Sequence, residues 1–151
     1  MTRLHVRQAG GADVAEVERV VAAAYTPWVD VMGGARPVPM DADYAALTAA
    51  GEVWVVEEDG STVGILVLRV EPEHLLLENV AIDPAAQGRG LGARLLAHVD
   101  DHARRHDRDR VLLYTNVLMT TNVAWYERHG YVETGREGTS PRRRVFLLKH
   151  L

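Results

Sequence analysis

The alternation of hydrophobic and polar positions changes period several times along the chain, and each change marks an element. Leu4 and Val6 alternate with polar neighbours, so Arg3–Gln8 predicts a first strand, broken at Gly10-Gly11. Val14, Val17, Val21 and Ala24 then recur at helical spacing. Asp13 reads as the N-cap of this helix, with Glu16 completing a capping box, and Pro27 predicts its end near Tyr25. Thr26–Met40 reads as irregular, with Pro27, Pro37, Pro39 and Gly33-Gly34, yet it carries Trp28, Met32 and Met40. Such apolar side chains in a loop either wall a substrate pocket or cap the core. Asp41–Ala50 predicts a short second helix, with Asp41 near its N-cap and Tyr44 and Leu47 on one face.

Glu52–Glu58 and Ser61–Val70 are strand-like runs joined by Asp59-Gly60, a strong hairpin signal. Leu75–Ile82 is a third run, apolar enough to be buried on both faces, and Asp83-Pro84 stops it. After a glycine-rich turn, Leu91, Leu95, Leu96, Val99 and Ala103 fall on one face of a helix over Gly90–Arg105. Val111–Thr115 is a short buried strand reached through that helix, so it should run parallel to Leu75–Ile82. Val123–His129 predicts a short helix ended by Gly130; Tyr131–Thr134 and Arg143–Leu148 predict the closing strands. The expected order is β-α-α-β-β-β-α-β-α-β-β.

A chain of 151 residues, 47% hydrophobic and 25% charged, reads as one globular domain over residues 1–151. Its net charge of −4 argues against nucleic acid as the main partner. It holds no cysteine, which excludes disulfides, thiolate metal sites and a cysteine nucleophile. Its N-terminal residues lack the apolar region of a signal peptide and no run reaches the length of a membrane span, so a cytoplasmic setting without membrane contact is expected.

The chemistry concentrates at Gln87-Gly88-Arg89-Gly90-Leu91-Gly92, between a buried strand and a helix. A helix start offers free N–H groups and a positive dipole end, and glycines let a phosphate approach the backbone. Arg89 adds a positive charge there. A P-loop would need Lys-Ser or Lys-Thr after its last glycine, and none is present. A dinucleotide fingerprint needs G-x-G-x-x-G, whereas Gly88, Gly90 and Gly92 give G-x-G-x-G. The pattern that fits is Q-x-x-G-x-G after V-A-I-D-P. It resembles motif A of the GNAT superfamily of N-acetyltransferases, and Pro37-x-Pro39-Met40-x-x-Asp43-Tyr44 looks like a motif of bacterial GNAT proteins without an assigned substrate.

Asn122-Val123-Ala124-Trp125-Tyr126 through Gly130-Tyr131 is similar to the other recurring GNAT signature. The resemblance implies an α/β (α+β) fold with a mixed, mostly antiparallel sheet, about four helices and a central parallel strand pair. It implies acetyl-CoA as cofactor, a direct attack by a primary amine in a ternary complex, and a small-molecule or peptide amine as acceptor; a homodimer is compatible with it. Carried over by position, the main chain of Val80, Ala81 and Ile82, the loop Gln87–Gly92 and Asn122 would contact acetyl-CoA. A backbone N–H near Val80 would meet the acetyl carbonyl, and Tyr126 would be the general acid.

Glu78, a carboxylate in an apolar strand, is the candidate base, because burial would raise its pKa; His74 and Asn79 are the alternatives nearby. Trp28, Met40, Asp43 and Tyr44, with Asp30 and Asp41 nearby, are the candidate acceptor residues, suited to a cationic amine with an apolar part. His98, His102 and His106 share helical spacing but read as a solvated face rather than a metal site. Arg142-Arg143-Arg144 reads as a charged hairpin end and edge strand. Two other classes stay open: a non-catalytic acyl-CoA-binding module, and an enzyme with a nucleotide cofactor.

Overall fold

A computed structural model describes residues 3–151. The strands are β1 (Leu4–Gln8), β2 (Val53–Glu58), β3 (Ser61–Val70), β4 (Leu75–Ile82), β5 (Arg110–Asn116), β6 (Val132–Glu137) and β7 (Arg144–His150). The helices are α1 (Val14–Val31), α2 (Tyr44–Ala49), α3 (Leu91–Arg105) and α4 (Thr120–Arg128), in the expected order among the strands. All seven strands form one sheet in the order β1-β2-β3-β4-β5-β7-β6. Every neighbouring pair is antiparallel except β4 and β5.

Alternation on β2 and β3 sends successive side chains to two cores. Val53, Val55, Ile65 and Val67 meet Val17, Val20 and Val21 of α1 on one face. Val56, Leu66 and Leu68 meet Leu95, Leu96 and Val99 of α3 on the other, with Leu113 and Leu147. Both faces of the central sheet are therefore covered, which is why its strands read as nearly continuous apolar runs.

On β4, Leu68 pairs with Leu77 and Val67 with Asn79, so Glu78 is one residue too many for the ladder. This bulge changes the alternation. Leu75 and Leu77 join the α3 core, whereas Ala81 joins the α1 core. The parallel pairing of β4 with β5 covers only Leu75–Leu77 against Val111–Leu113. Beyond it the two strands separate.

Three local expectations are corrected. Helix α1 does not stop before Pro27 but runs through it to Val31. Proline removes the bond to the Ala23 carbonyl, but the next turn still closes, with the Met32 N–H donating to the Trp28 carbonyl at 3.0 Å. The continued turn seats Met32 in the interior. Asp13 does not cap α1 through a capping box with Glu16. Its carboxylate accepts from the Gly10 N–H at 2.8 Å and pairs with Arg7. Asp41 is not the cap of α2: Asp43 is, accepting from the Ala46 N–H at 3.0 Å, while Asp41 pairs with Arg36. Among the described residues no helix is long and apolar enough to cross a membrane.

Candidate active site

The gap between β4 and β5 is the centre of the site. Glu78, Asn79 and Val80 border it from β4, Tyr114 and Thr115 from β5, and Asn122 and Tyr126 from α4. A cavity opens on either side. One runs along Val80–Ile82 to Gln87, Gly88 and the first turn of α3. The other lies under Pro37–Pro39, α2 and the start of β7. Tyr25, Val80, Asn122 and Tyr126 line both, so the two cavities meet at these four residues.

The glycine turn has the form its chemistry requires. Asp83 accepts from the Ala85 N–H at 3.0 Å and pairs with Arg19, which holds its carboxyl below the usual range. The Gln87 side chain donates to the Ile82 carbonyl at 3.1 Å and braces the turn. Gly88 (φ 81°) and Gly90 (φ 76°) adopt left-handed backbone, and nothing stands within 4 Å of where their Cβ atoms would be. No side chain caps α3 at Gly90, so its first N–H groups remain available to an anion. Main-chain donors, open space and a neighbouring cavity fit the pyrophosphate of a CoA molecule.

Gly92 serves another purpose. A Cβ there would sit 2.5 Å from Cζ2 of Trp125, so this glycine lets α4 close onto α3. The expected charge of Arg89 is also elsewhere: its guanidinium pairs with buried Glu58 at 2.9 Å, and it does not line the loop cavity. Only its main chain remains part of the turn.

Tyr126 is buried between Trp125 and Tyr131, with ring centroids 5.0 Å and 5.7 Å away. Burial alone pushes its phenol well up, with no side-chain hydrogen bond to offset it. A neutral phenol at the junction of two cavities is a proton donor awaiting an acceptor. Asn79 is fixed on both sides: its Oδ1 accepts from the Tyr25 hydroxyl, and its Nδ2 donates to the Tyr44 hydroxyl at 3.2 Å. Tyr44 donates in turn to the Pro39 carbonyl at 2.6 Å, and burial pushes its phenol up to about 12.

Glu78 is not a carboxylate alone in an apolar strand. It accepts from Arg69 Nη2 at 3.0 Å, Arg69 Nε also donates to Glu52 at 3.0 Å, and the Glu78 side chain is 27% exposed. The bulge nonetheless turns it to the cavity wall beside Asn79. His74 lines neither cavity.

The candidate acceptor residues divide. Tyr44 lines the second cavity as expected. Trp28 instead lines the loop cavity, because α1 continues past Pro27 and carries it there. Met40 lines neither cavity; it closes a tight turn, donating to the Pro37 carbonyl at 3.0 Å, and Met32 takes the interior place. Asp43 is occupied as the α2 cap, and Asp30 and Asp41 line neither cavity. Sequence reasoning missed Tyr25, Thr115, Met119, Arg142 and Arg144, which all line the second cavity. Tyr25 alone carried a signal: it lies on the α1 stripe of Val17 and Val21, one turn on. The histidines of α3 are not a solvated face. His102 is buried, 5.2 Å from Trp54 and 4.4 Å from His106 between ring centroids.

Comparison with known proteins agrees with this fold. Residues 49–133 match the family described as acetyltransferase (GNAT) domain. The chain is 36% identical over 137 residues to a mycothiol acetyltransferase of Mycolicibacterium gilvum (strain PYR-GCK), covering 81% of this chain and 43% of that protein. It is 29% identical over 86 residues to an IAA acetyltransferase of Azospirillum brasilense, covering 56% of each. The chain thus spans about half the length of the curated relatives it matches. A PaiA N-acetyltransferase from Thermoplasma acidophilum, solved in complex with coenzyme A, shares the fold with a TM-score of 0.78 at 12% identity, over 99% of both chains.

Proposed function

This chain belongs to the GNAT family of acetyltransferases, and we propose that it transfers an acetyl group from acetyl-CoA to a primary amine by direct attack in a ternary complex. The observation that carries this reading is the meeting of two cavities at Val80, Asn122 and Tyr126, one leading from the glycine turn and the other from Glu78. When bound, acetyl-CoA supplies an acetyl group activated as a thioester.

Each residue then has a definite task. The main chain of Gln87–Gly92 holds the pyrophosphate at the uncapped start of α3. Val80 and Ile82 offer backbone groups along the unpaired side of β4, Ala81 lines the same cavity, and Asn122 contacts the cofactor from α4. The Val80 N–H would meet the acetyl oxygen of the bound donor and would stabilise negative charge forming there. Glu78 takes a proton from the attacking amine, directly or through water. Tyr126, whose buried phenol is neutral beforehand, gives its proton to the departing sulfur. Asn79, locked by Tyr25 and Tyr44, keeps the wall beside Glu78 rigid. With no cysteine in the chain, no cysteine acyl-enzyme intervenes. The acceptor is a small-molecule or peptide amine entering from the Pro37–Pro39 side.

Thiol release from acetyl-CoA with pooled amines tests this directly, and a cysteine-free chain adds no background. Release with one pool, lost in Tyr126→Phe and Glu78→Gln, is the expected result. If acetyl-CoA neither supports release nor raises the melting temperature, the reading fails.

A further inference from the structure

The acceptor cavity has a charge pattern opposite to the one its neighbouring sequence advertises. Asp30, Asp41 and Asp43 do not reach it. Its ionisable lining is Glu78 and Tyr residues toward the sheet, and Arg142 and Arg144 at the start of β7. Glu78 is already matched by Arg69 at 3.0 Å. Arg142 donates to the Arg36 carbonyl at 3.3 Å and pairs with no carboxylate among the described residues. Arg144 stacks over Tyr114 at 4.8 Å and Phe146 at 5.3 Å, with Glu137 only loosely attached at 3.5 Å from a largely exposed position. Two guanidinium groups thus border a largely apolar cavity of about 150 Å³, with Met32, Val38 and Leu47 among its walls.

Resting on the acetyl-transfer reading, we propose that the acceptor is a small primary amine that also carries a carboxylate, held by Arg142 and Arg144, with an apolar body between the two groups. Arginine presents a fork of donors that matches a carboxylate, and both arginines stand exposed at the mouth of the cavity, where a carboxylate can reach them. The register sets the spacing. Arg144 pairs with Asn116, three residues along β5 from Leu113, which pairs with Leu77 beside Glu78. Three residues along the strand (about 10 Å) and two strand spacings across the sheet (about 4.8 Å each) set these backbone positions about 14 Å apart, a span the two inward-reaching side chains shorten. The amine at Glu78 and the carboxylate at the arginines are therefore separated by a spacer such as an aromatic ring or a short alkyl chain.

Matched pairs test this: 4-(2-aminoethyl)benzoate against its carboxamide, and 6-aminohexanoate against its carboxamide, assayed by thiol release from acetyl-CoA. The acid of at least one pair should exceed its amide in kcat/KM by about tenfold or more. Arg142→Gln and Arg144→Gln should each raise KM for the acid about tenfold and leave the amide's KM unchanged. Equal use of acid and amide, or an acid KM unmoved in both variants, overturns the inference. Acetyl-CoA stabilisation with other amines acetylated but no acid used overturns it alone. Neither stabilisation nor release with any amine removes the acetyl-transfer reading as well.

Discussion

The indole of Trp125 occupies the space that a side chain at position 92 would need: a Cβ on Gly92 would lie 2.5 Å from Cζ2 and 3.2 Å from Cη2. The third glycine of the turn is thus a packing residue between α3 and α4, while Gly88 and Gly90 face open space. Gly92→Ala should cost about 1–3 kcal/mol through overpacking, read as a lower urea midpoint. Replacing Trp125 by leucine in the same chain should recover part of that loss. Gly90→Ala, strained only by its positive φ, should weaken acetyl-CoA binding without needing any change at Trp125.

Tyr126 separates stability from activity. Tyr126 is buried and its hydroxyl makes no side-chain hydrogen bond, so removing it leaves no protein group unpaired. Tyr126→Phe should retain or slightly raise the melting temperature while lowering kcat about a hundredfold. A parallel loss of stability would mark the tyrosine as structural. Unchanged activity would point to an acyl-CoA-binding module in which this hydroxyl has no chemical task.

Asp43 should behave as a cap and nothing more. Asp43→Ala removes the bond to the Ala46 N–H and should cost about 1 kcal/mol. The acceptor KM should stay constant in that variant. Trp28→Ala should alter the KM for acetyl-CoA instead, because Trp28 stands on the loop side of the gap.

The α3 histidines make stability depend on pH. Burial, reinforced by His106, Arg105 and His98, pushes His102 down to about 4. Above its ordinary value near 6.5 the ring is neutral folded or unfolded, and no penalty exists. Between about 6.5 and 4 the unfolded chain takes up the proton first, so stability falls as pH falls through that window. His98, also lowered by burial, acts in the same direction. Asp13, held at about 2 chiefly by Arg7, adds its own loss as pH falls from the ordinary 3.8 toward 2. Melting curves from pH 7 to 4.5 should slope downward, and His102→Leu should flatten them.

Periodicity made the element order readable because both faces of the central sheet are covered, so apolar runs and helical stripes are strong. The glycine turn was readable because its backbone conformation demands particular residues at particular spacings. Local caps were not: Asp13, Asp41 and Asp43 are equivalent choices until Arg7 and Arg36 claim the first two. The acceptor wall was harder still. Trp28 and Met32 stood side by side in an expected loop, but a helix continued through Pro27 sends them to different cavities. Arg142 and Arg144 reach the site only because β7 inserts between β5 and β6, a pairing that local pattern does not encode. The bulge at Glu78 breaks an alternation that the sequence of β4 continues without a sign.

The three-rung junction between β4 and β5 divides the labour of the chain. On one side, the strand, turn and helix from Leu75 to Arg105 form a continuous stretch whose parts constrain each other through backbone geometry. On the other, the acceptor wall is assembled from the α1–α2 connection and the start of β7, segments far apart in sequence. Those segments carry no shared hydrogen-bond ladder with the turn. On the proposed reading, residues such as Val38, Arg142 and Arg144 can therefore change, and select a different amine, while the turn that would hold the acetyl donor stays as it is.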